Sequence, residues 1–545
     1  MHAFAELVAA LDTSNATHDK VAALCAFFKH QAAEDAAWAI YFLAGGKPRR
    51  LVPTRTLRAA ACQAAGLEPW LFEDCYESVG DLAETIALLL EEPRRIPTGY
   101  GLAHWMRERV LPLRALTEAD CVAALQGAWS ELTTHERFVF NKLITGGLRL
   151  GVSRQLSLRA LAQAFSVDAK TLAQRIMGYT DGQSEPSAER FAALVSPERD
   201  CGHALLPYPF FLAHRWDDER EEPSAVSEWL VEWKWDGIRA QIVHRQAGLA
   251  IWSRGEELLT NRFPEIVEAA TRLPVGTVLD GELLCWREAD RRPMDFAAMQ
   301  TRIGRERPGA ASLRDAPAVF VAFDCLEHAG VDLRSQPLGA RREALLGIVG
   351  DAPNRLRAAS ALALTNWTDG AVWRLRAREH GAEGLMLKRL DSVYGIGRSR
   401  AEGAAWFKWK LDPFTVDAVL IYAQAGHGRR AGLYTDYTFA VWDERAQASR
   451  ELVPFAKAYS GLSDAEIREV DAIIRRTTLE RFGPVRSVTP AQVFEIGFEG
   501  IARSTRHRAG IAVRFPRILR WRRDKTPEQA DTLASLQALI AINRV

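Results

Sequence analysis

The chain has 545 residues, which suits three or four domains at roughly 150 residues each. Hydrophobic residues make up 48% and charged residues 26%, a globular balance that excludes a disordered or fibrous protein. Seventy basic against 69 acidic residues leave a net charge of +1, which excludes a uniformly basic nucleic-acid-coating protein and requires any nucleic-acid surface to be local.

At the N-terminus, Phe4, Leu7, Val8 and Leu11 fall at helical spacing, without the basic start and apolar core of a signal peptide. Apolar runs such as Ile86 to Leu90 are far short of the ~20 residues of a membrane span, so the chain reads as cytosolic. The seven cysteines are scattered, which argues against a disulfide framework or a CxxC zinc site. Residues 1–204 are rich in Ala and Leu, and Asp81 to Glu91, Glu118 to Trp129 and Ser157 to Phe165 predict helices in an all-helical domain. Pro207, Pro209 and the acidic stretch Asp217 to Glu222 form a linker into short β-rich runs (WLVEWKW, AQIVH, LAIWS, TVLDGELLCW, AVFVAFDCL), which predict an α+β or mixed α/β domain over 205–412. Beyond Pro413, the runs VDAVLIYA, YTFAVWD and QVFEIGFEGIA flank a helix from Asp464 to Thr478. Five or so short strands over 413–545 suit a small β-barrel of the OB kind.

Lysine occurs only 11 times among the 70 basic residues. Arginine can serve for surface charge but cannot be deprotonated in a protein, so a retained lysine is a candidate for chemistry. The sharpest local signal is Glu232-Trp-Lys234-Trp-Asp236-Gly237-Ile-Arg239, at the end of a β-like run where a glycine turn can project a lysine into a cleft.

This segment resembles motif I of the covalent nucleotidyltransferases, the superfamily of ATP-dependent and NAD-dependent DNA ligases, RNA ligases and capping enzymes. The other motifs follow in order. Ser253-Arg254-Gly255 resembles the segment after motif I, Asp280-Gly281-Glu282 motif III, and Val321-Ala-Phe323-Asp324 motif IIIa. Glu383-Gly384-Leu-Met-Leu-Lys388 is similar to motif IV, Trp406-Phe-Lys408-Trp-Lys410 to motif V, and Arg514-Phe-Pro-Arg517, with Arg520, Asp524 and Lys525 behind it, to motif VI. Four of the 11 lysines lie inside these motifs. The implied fold has an α+β nucleotidyltransferase core related to ATP-grasp proteins.

The resemblance makes Lys234 the nucleophile that carries AMP. A lysine attacks phosphorus only when neutral, a form that neighbouring cations favour, and most catalysis of phosphoryl transfer is positioning and charge stabilisation. Lys408 and Lys410 alternate on a strand-like run and put two cations on one face for that purpose. By resemblance, Glu232 helps read the adenine of ATP, Phe323 stacks on it, and Arg239 and Arg254 hold ribose and phosphate. Glu282 contacts the ribose or, with Glu383, holds Mg2+, a hard cation content with one or two carboxylates plus phosphates. Arg398 is the expected nucleotide-contacting arginine of the stretch Tyr394 to Arg400, with Arg400 as the alternative, because the spacing to Trp406 is longer than usual in the family.

From Arg503 to Lys525 nine basic residues stand against Asp524 alone, a local patch fit for a polyphosphate or DNA backbone, with Arg514, Arg517 and Lys525 as candidates. The segment Asn141-Lys-Leu-Ile-Thr145-Gly146-Gly147-Leu-Arg149-Leu-Gly151-Val-Ser153 resembles part of the DNA-binding domain that precedes the core in ATP-dependent DNA ligases, and it adds Arg149 as a DNA contact. RNA ligases and capping enzymes generally lack that domain, and the zinc module of NAD-dependent ligases is not visible. The chain is therefore identified as similar to bacterial ATP-dependent DNA ligases with an N-terminal DNA-binding domain. The resemblance implies a cytoplasmic, nucleoid-associated monomer acting on nicked duplex DNA in replication, repair or recombination. Its domains would wrap the duplex as a clamp that reads backbone shape. An RNA ligase or capping-type enzyme, or a catalytically silent DNA-end-binding scaffold, is the alternative; the intact lysines and glutamates argue against the scaffold.

Overall fold

The computed structural model describes residues 1–14, 16–46, 51–79, 81–92, 99–146, 148, 152–180, 184–196, 205–216, 224–287, 292–350, 355–398, 405–426, 432–444, 450–482, 485–505 and 507–544. The chain divides into two compact units, one of Met1–Arg49, Tyr100–Met106 and Leu148–Leu411, the other of Arg50–Gly99, Arg107–Gly147 and Asp412–Val545. No helix among the described residues is long and apolar enough to cross a membrane, and six described cysteines are free thiols.

The first unit begins with the helices His2–Thr13, Thr17–His30 and Ala33–Leu43. The first buries Phe4, Leu7, Val8 and Leu11, the stripe that the spacing predicts. Phe27 and Phe28 of the second meet Phe4 edge-on and stack on Phe191 of helix Ala188–Val195. Helix Arg154–Phe165 packs on the second helix and is capped by the Ser153 hydroxyl, which accepts from the Leu156 N–H at 3.2 Å.

Two sheets complete this unit. In chain order the strands are β1 (His214–Arg215), β2 (Trp229–Trp235), β3 (Ile238–Arg245), β4 (Gly248–Ser253), β5 (Thr277–Arg287), β6 (Arg292–Pro293), β7 (Ala318–His328), β8 (Val331–Asp332), β9 (Leu356–Ala358), β10 (Ala382–Arg389) and β11 (Trp406–Lys410). One sheet has the order β1-β11-β10-β2; the other runs β4-β3-β5-β7-β8, with β6 on β5 and β9 on β7.

Side-chain alternation decides what each sheet offers. Val231 and Trp233 join Leu385, Leu387, Phe407 and Trp409 in an apolar cluster, covered by Trp216, Trp229 and Trp367. Glu232, Lys234, Lys408 and Lys410 therefore fall on the opposite face. In the second sheet Ala240, Ile242, Leu279, Leu283 and Phe320 pack with Ile266, Met299 and Leu345 of the helices Pro264–Ala270, Phe296–Ile303 and Leu338–Val349. Each fully buried side chain of that size contributes roughly 1.5–3 kcal/mol. The same alternation turns Arg239, Asp280, Glu282 and Phe323 away from this core.

The second unit has a helical part and a β part. The helices Leu82–Leu89, Glu118–Glu131 and Thr134–Thr145 follow the predicted stripes or the glycine-rich segment. Asp81 caps the first through the Glu84 N–H; Thr133 and Glu136 form a capping box on the last, which ends at Gly146 in the left-handed conformation, φ +68°. Buried Arg137 donates to the carbonyls of Trp129, Leu90 and Glu91 and ties these helices together.

The β part contains β12 (Phe414–Ala425), β13 (Tyr434–Asp443), β14 (Glu451–Ala458), β15 (Thr478–Phe482), β16 (Val485–Val488), β17 (Val493–Phe498), β18 (Gly500–Arg503), β19 (Ile511–Arg514) and β20 (Arg517–Trp521). The order is β14-β13-β12-β16-β15, β17 joins β12 to β20, and β18 pairs with β19. The expected handful of strands is nine among the described residues. The run QVFEIGFEGIA breaks at Glu499 into β17 and β18, which pair with different partners. Helix Asp464–Thr477 stands where the sequence predicts it, with Ser463 and Glu466 as its capping box. This is a C-terminal β domain of the OB kind that follows a nucleotidyltransferase-like core along the chain, the expected fold class.

Candidate active site

The two sheets of the first unit turn their polar faces to one cleft. Lys234 lies near the end of β2, before the turn Asp236–Gly237 that leads into β3. A Cβ on Gly237 would strike the Leu283 carbonyl, so this close approach requires glycine. The Lys234 ammonium donates to Glu383 Oε2 at 2.5 Å, and Lys410 stands 3.6 Å from the same oxygen. Glu383 precedes Gly384, whose φ of +140° and tight approach to the Trp409 carbonyl exclude a side chain where β10 shifts register.

Cross-strand register explains the motif spacing. Glu232, Met386 and Lys408 form one row across β2, β10 and β11, and Gly384 lies opposite Lys410. Lys408 is half-buried; burial first, then Arg398, Lys410, Lys234 and Arg254, pull its pKa down. Lys408 therefore lies within electrostatic range of four other cations. Arg254 is exposed at the end of β4, and its backbone N–H donates to the Arg239 carbonyl at 2.8 Å. Arg398 is exposed just after Gly397, which is pinned by hydrogen bonds to Phe210 and Leu212.

On the facing sheet Arg239 is held on several sides. It pairs with Asp280 through Nε at 3.2 Å and Nη2 at 2.7 Å, and donates to the Phe211 carbonyl at 2.6 Å and the Tyr394 hydroxyl at 3.4 Å. These contacts engage four of its five N–H groups. Buried Tyr394 donates to Asp280 Oδ2 at 2.6 Å, and burial holds its phenol well above the usual range. Glu282 stands opposite Arg239 in the strand register. Phe323 lies with its ring centroid 4.1 Å from the Lys388 ammonium, 5.3 Å from the Arg239 guanidinium and 6.1 Å from the Trp406 ring.

Burial pushes the Glu282 carboxyl up from 4.5 to about 7 against the pull of Lys234, Arg239 and Arg254. Between those values the folded, metal-free protein holds a proton that the unfolded chain has released. The stability that this group contributes is complete below about pH 4.5 and is lost as pH rises through 7. Glu282→Gln is expected to remove that slope, seen as a variant that gains on the wild type in urea midpoint between pH 5 and 8 in EDTA.

Glu232, Lys234, Arg239, Arg254, Glu282, Phe323, Glu383, Arg398, Lys408 and Lys410 thus lie in one unit around one cleft. Arg149 and Arg400 lie outside the described residues. Sequence reasoning did not single out Met386, although its two-residue spacing from Lys388 could have signalled it. It passed over Asp280 and Tyr394 as partners of Arg239, and it had no signal for Arg342, which reaches Glu232 from helix Leu338–Val349 outside every motif. Beside the cleft is a cavity of ≈ 1410 Å³, lined among others by Arg254, Tyr394, Gly397 and the start of helix Arg154–Phe165, where Arg154 pairs with Glu256.

In the second unit the basic stretch meets carboxylates from other elements. Arg508 pairs with Glu451, Arg517 with Glu499, Arg520 with Glu495 and Arg523 with Glu469, while Arg522 and Lys525 share Asp417. The Arg514 guanidinium lies 5.0 Å from the Phe515 ring. Much of the positive excess seen in the linear stretch is therefore offset in the fold. Arg506 lies outside the described residues.

Three family models match this chain in order: "DNA ligase N terminus" over residues 1–162, "ATP dependent DNA ligase domain" over 211–410 and "ATP dependent DNA ligase C terminal region" over 430–525. A "Probable DNA ligase" of Koribacter versatilis is 34% identical, over 72% of this chain and 70% of that protein. One of Opitutus terrae is 30% identical over 99% of this chain, which spans 62% of that longer protein. Among solved structures, "Pmar-Lig_PreS3" shares the fold, with a TM-score of 0.61 and 16% identity over 95% of this chain and 99% of the other. A core whose two sheets gather a lysine, its cationic neighbours and two glutamates, preceded by helices and followed by a β domain, is the architecture of a covalent nucleotidyltransferase. The chain belongs to the ATP-dependent DNA ligases. It is an enzyme that uses ATP to seal nicks in duplex DNA, through an enzyme-adenylate and transfer of AMP to the 5′-phosphate before the 3′-hydroxyl closes the bond.

Proposed function

We propose that Lys234 is the residue that carries AMP and that the surrounding side chains divide the work of nucleotide transfer. The observation that carries this reading is the position of Lys234, 2.5 Å from Glu383 Oε2, with Lys410 3.6 Å from the same oxygen and Lys408 within electrostatic reach. Once neutral, the Lys234 amine attacks the α-phosphorus; a P–N bond forms, the bond to the bridging oxygen breaks, and pyrophosphate leaves. Lys408 and Lys410 stabilise the charge on the equatorial phosphate oxygens. Glu232 reads the adenine, Phe323 stacks on it, Arg254 and the remaining N–H of Arg239 hold ribose and phosphate, and Arg398 contacts the nucleotide.

Glu282 and Glu383 suit a divalent cation. Burial pushes the carboxyl of Glu282 up to about 7, so a neighbouring cation favours its charged form, and Glu383 already draws two ammonium groups. Among the described residues no cluster of three or more His, Cys, Asp or Glu is present, which fits Mg2+, an ion that takes one or two carboxylates and completes its shell with phosphates and water. Bound there, Mg2+ would neutralise phosphate charge and compete with Lys234 for Glu383. Arg149, Arg514, Arg517 and Lys525 contact pyrophosphate or the DNA backbone. Residues 1–204 bind DNA, 205–412 carry adenylation and 413–545 form the OB domain. The enzyme acts as a monomer in the cytoplasm, associated with the nucleoid.

The test uses full-length protein discharged with pyrophosphate and then given α-labelled ATP. Label on the chain is expected with Mg2+, none in EDTA, and none from γ-labelled ATP in either case. With Lys408→Ala the rate of labelling is expected to fall at least about a hundredfold, in keeping with the loss of one charge-stabilising donor. Metal-independent labelling, or full labelling of Lys408→Ala, refutes these assignments.

A further inference from the structure

We propose that Lys388 and Arg342 are specificity-determining residues: they anchor the two oxygens of Glu232 so that its open acceptor sites face the base, and so make the enzyme choose adenine over guanine. The inference rests on the reading that Glu232 faces the base and Phe323 stacks on it. Glu232 is almost completely buried, at 2% side-chain exposure, and both of its oxygens are engaged by cations. The Lys388 ammonium, 1% exposed, donates to Oε2 at 2.6 Å, and Arg342 stands 3.3 Å from Oε1. Arg342 also donates to the Ala359 carbonyl, which fixes its guanidinium from the far side. Lys388 in turn lies against the faces of Phe323 and Trp406, 4.1 and 4.5 Å from their centroids.

Each carboxylate oxygen can accept two hydrogen bonds, so each keeps one acceptor site after its cation is served. Adenine presents an amino group at C6, a donor that such a site takes. Guanine presents a carbonyl oxygen there, which a charged carboxylate repels. A carboxylate that has lost one of these two anchors is free to turn its oxygens away from the guanine carbonyl, so the penalty against guanine falls with the anchor. The selectivity therefore resides in the two cations as much as in Glu232, and one of them belongs to a helix with no motif.

The experiment compares initial rates of covalent labelling from α-labelled ATP and α-labelled GTP, in Mg2+, for discharged wild type, Arg342→Met, Lys388→Met, Lys388→Arg and Glu232→Ala. The ratio of the two rates does not depend on the fraction of active protein. Arg342→Met and Lys388→Met are each expected to lower the ATP:GTP ratio about tenfold or more, the worth of one hydrogen bond to a charged group, while Lys388→Arg retains it. Thermal unfolding run in parallel shows whether Lys388→Met folds; if it does not, Arg342→Met decides. A lowered ratio in Glu232→Ala with wild-type ratios in Arg342→Met and Lys388→Met overturns the proposal. An unchanged ratio in Glu232→Ala overturns the reading of Glu232 on which it rests.

Discussion

Lys234→Arg is expected to abolish self-adenylation, with covalent label from α-labelled ATP falling below about 10⁻⁴ of wild type. The substitution keeps the positive charge and can keep the ion pair with Glu383, so the cleft retains its electrostatics. It removes only the capacity to lose a proton and present a lone pair to phosphorus, which a guanidinium lacks at any ordinary pH. Sealing of a nick that already bears a 5′-AMP needs no enzyme nucleophile and should persist. Loss of both activities would point instead to a damaged fold, and labelling of Lys234→Arg would remove Lys234 from its proposed role.

Arg341→Met is expected to destabilise the core by about 3–5 kcal/mol, read as a lowered urea midpoint by tryptophan fluorescence. Arg341 and Asp324 are fully buried and paired through two hydrogen bonds of 2.8 and 2.9 Å. Methionine fills much of the volume but leaves the carboxylate without its cation in a site where burial already raises its pKa. Arg341 also donates to the Gln336 and Ser392 carbonyls, so the segment leading to Tyr394 loses an anchor. Asp324 follows Phe323 directly, and the same variant should bind ATP less well. The double variant Asp324→Leu with Arg341→Met removes the orphaned charge and should regain much of the midpoint. A midpoint within experimental error of wild type for Arg341→Met would show that the pair adds nothing to stability.

Lys234 was legible because the chemistry of phosphoryl transfer demands a lysine, and the demand shows as a short local pattern in a chain where lysine is scarce. The alternation in WFKWK likewise placed Lys408 and Lys410 on one face without knowledge of the partner strand, since a strand's two-residue period is a local property. The helical N-terminal region, the α+β core and the β domain were readable for the same reason, as was helix Asp464–Thr477 to within one residue. Arg341 carried no such mark: an arginine on a helix reads as solvated until its surroundings are known.

What the sequence determined by itself, then, was the class of chemistry, the identity of its charged participants and the type of each element, because these follow from residue type and short-range period. The tertiary structure alone decided who pairs with whom. Glu232 meets Lys388 across 156 residues and Arg342 across 110, and Lys234 meets Glu383 across 149. Such partners are chosen by which strands become neighbours and in what register, and a shift of one residue would turn every one of these side chains to the other face. The basic stretch near the C-terminus shows the same limit, since the glutamates that offset it come from β14, β17, the β17–β18 junction and helix Asp464–Thr477. Charge counted along the chain is local, whereas the field it makes depends on long-range packing that brings opposite charges within a few ångströms.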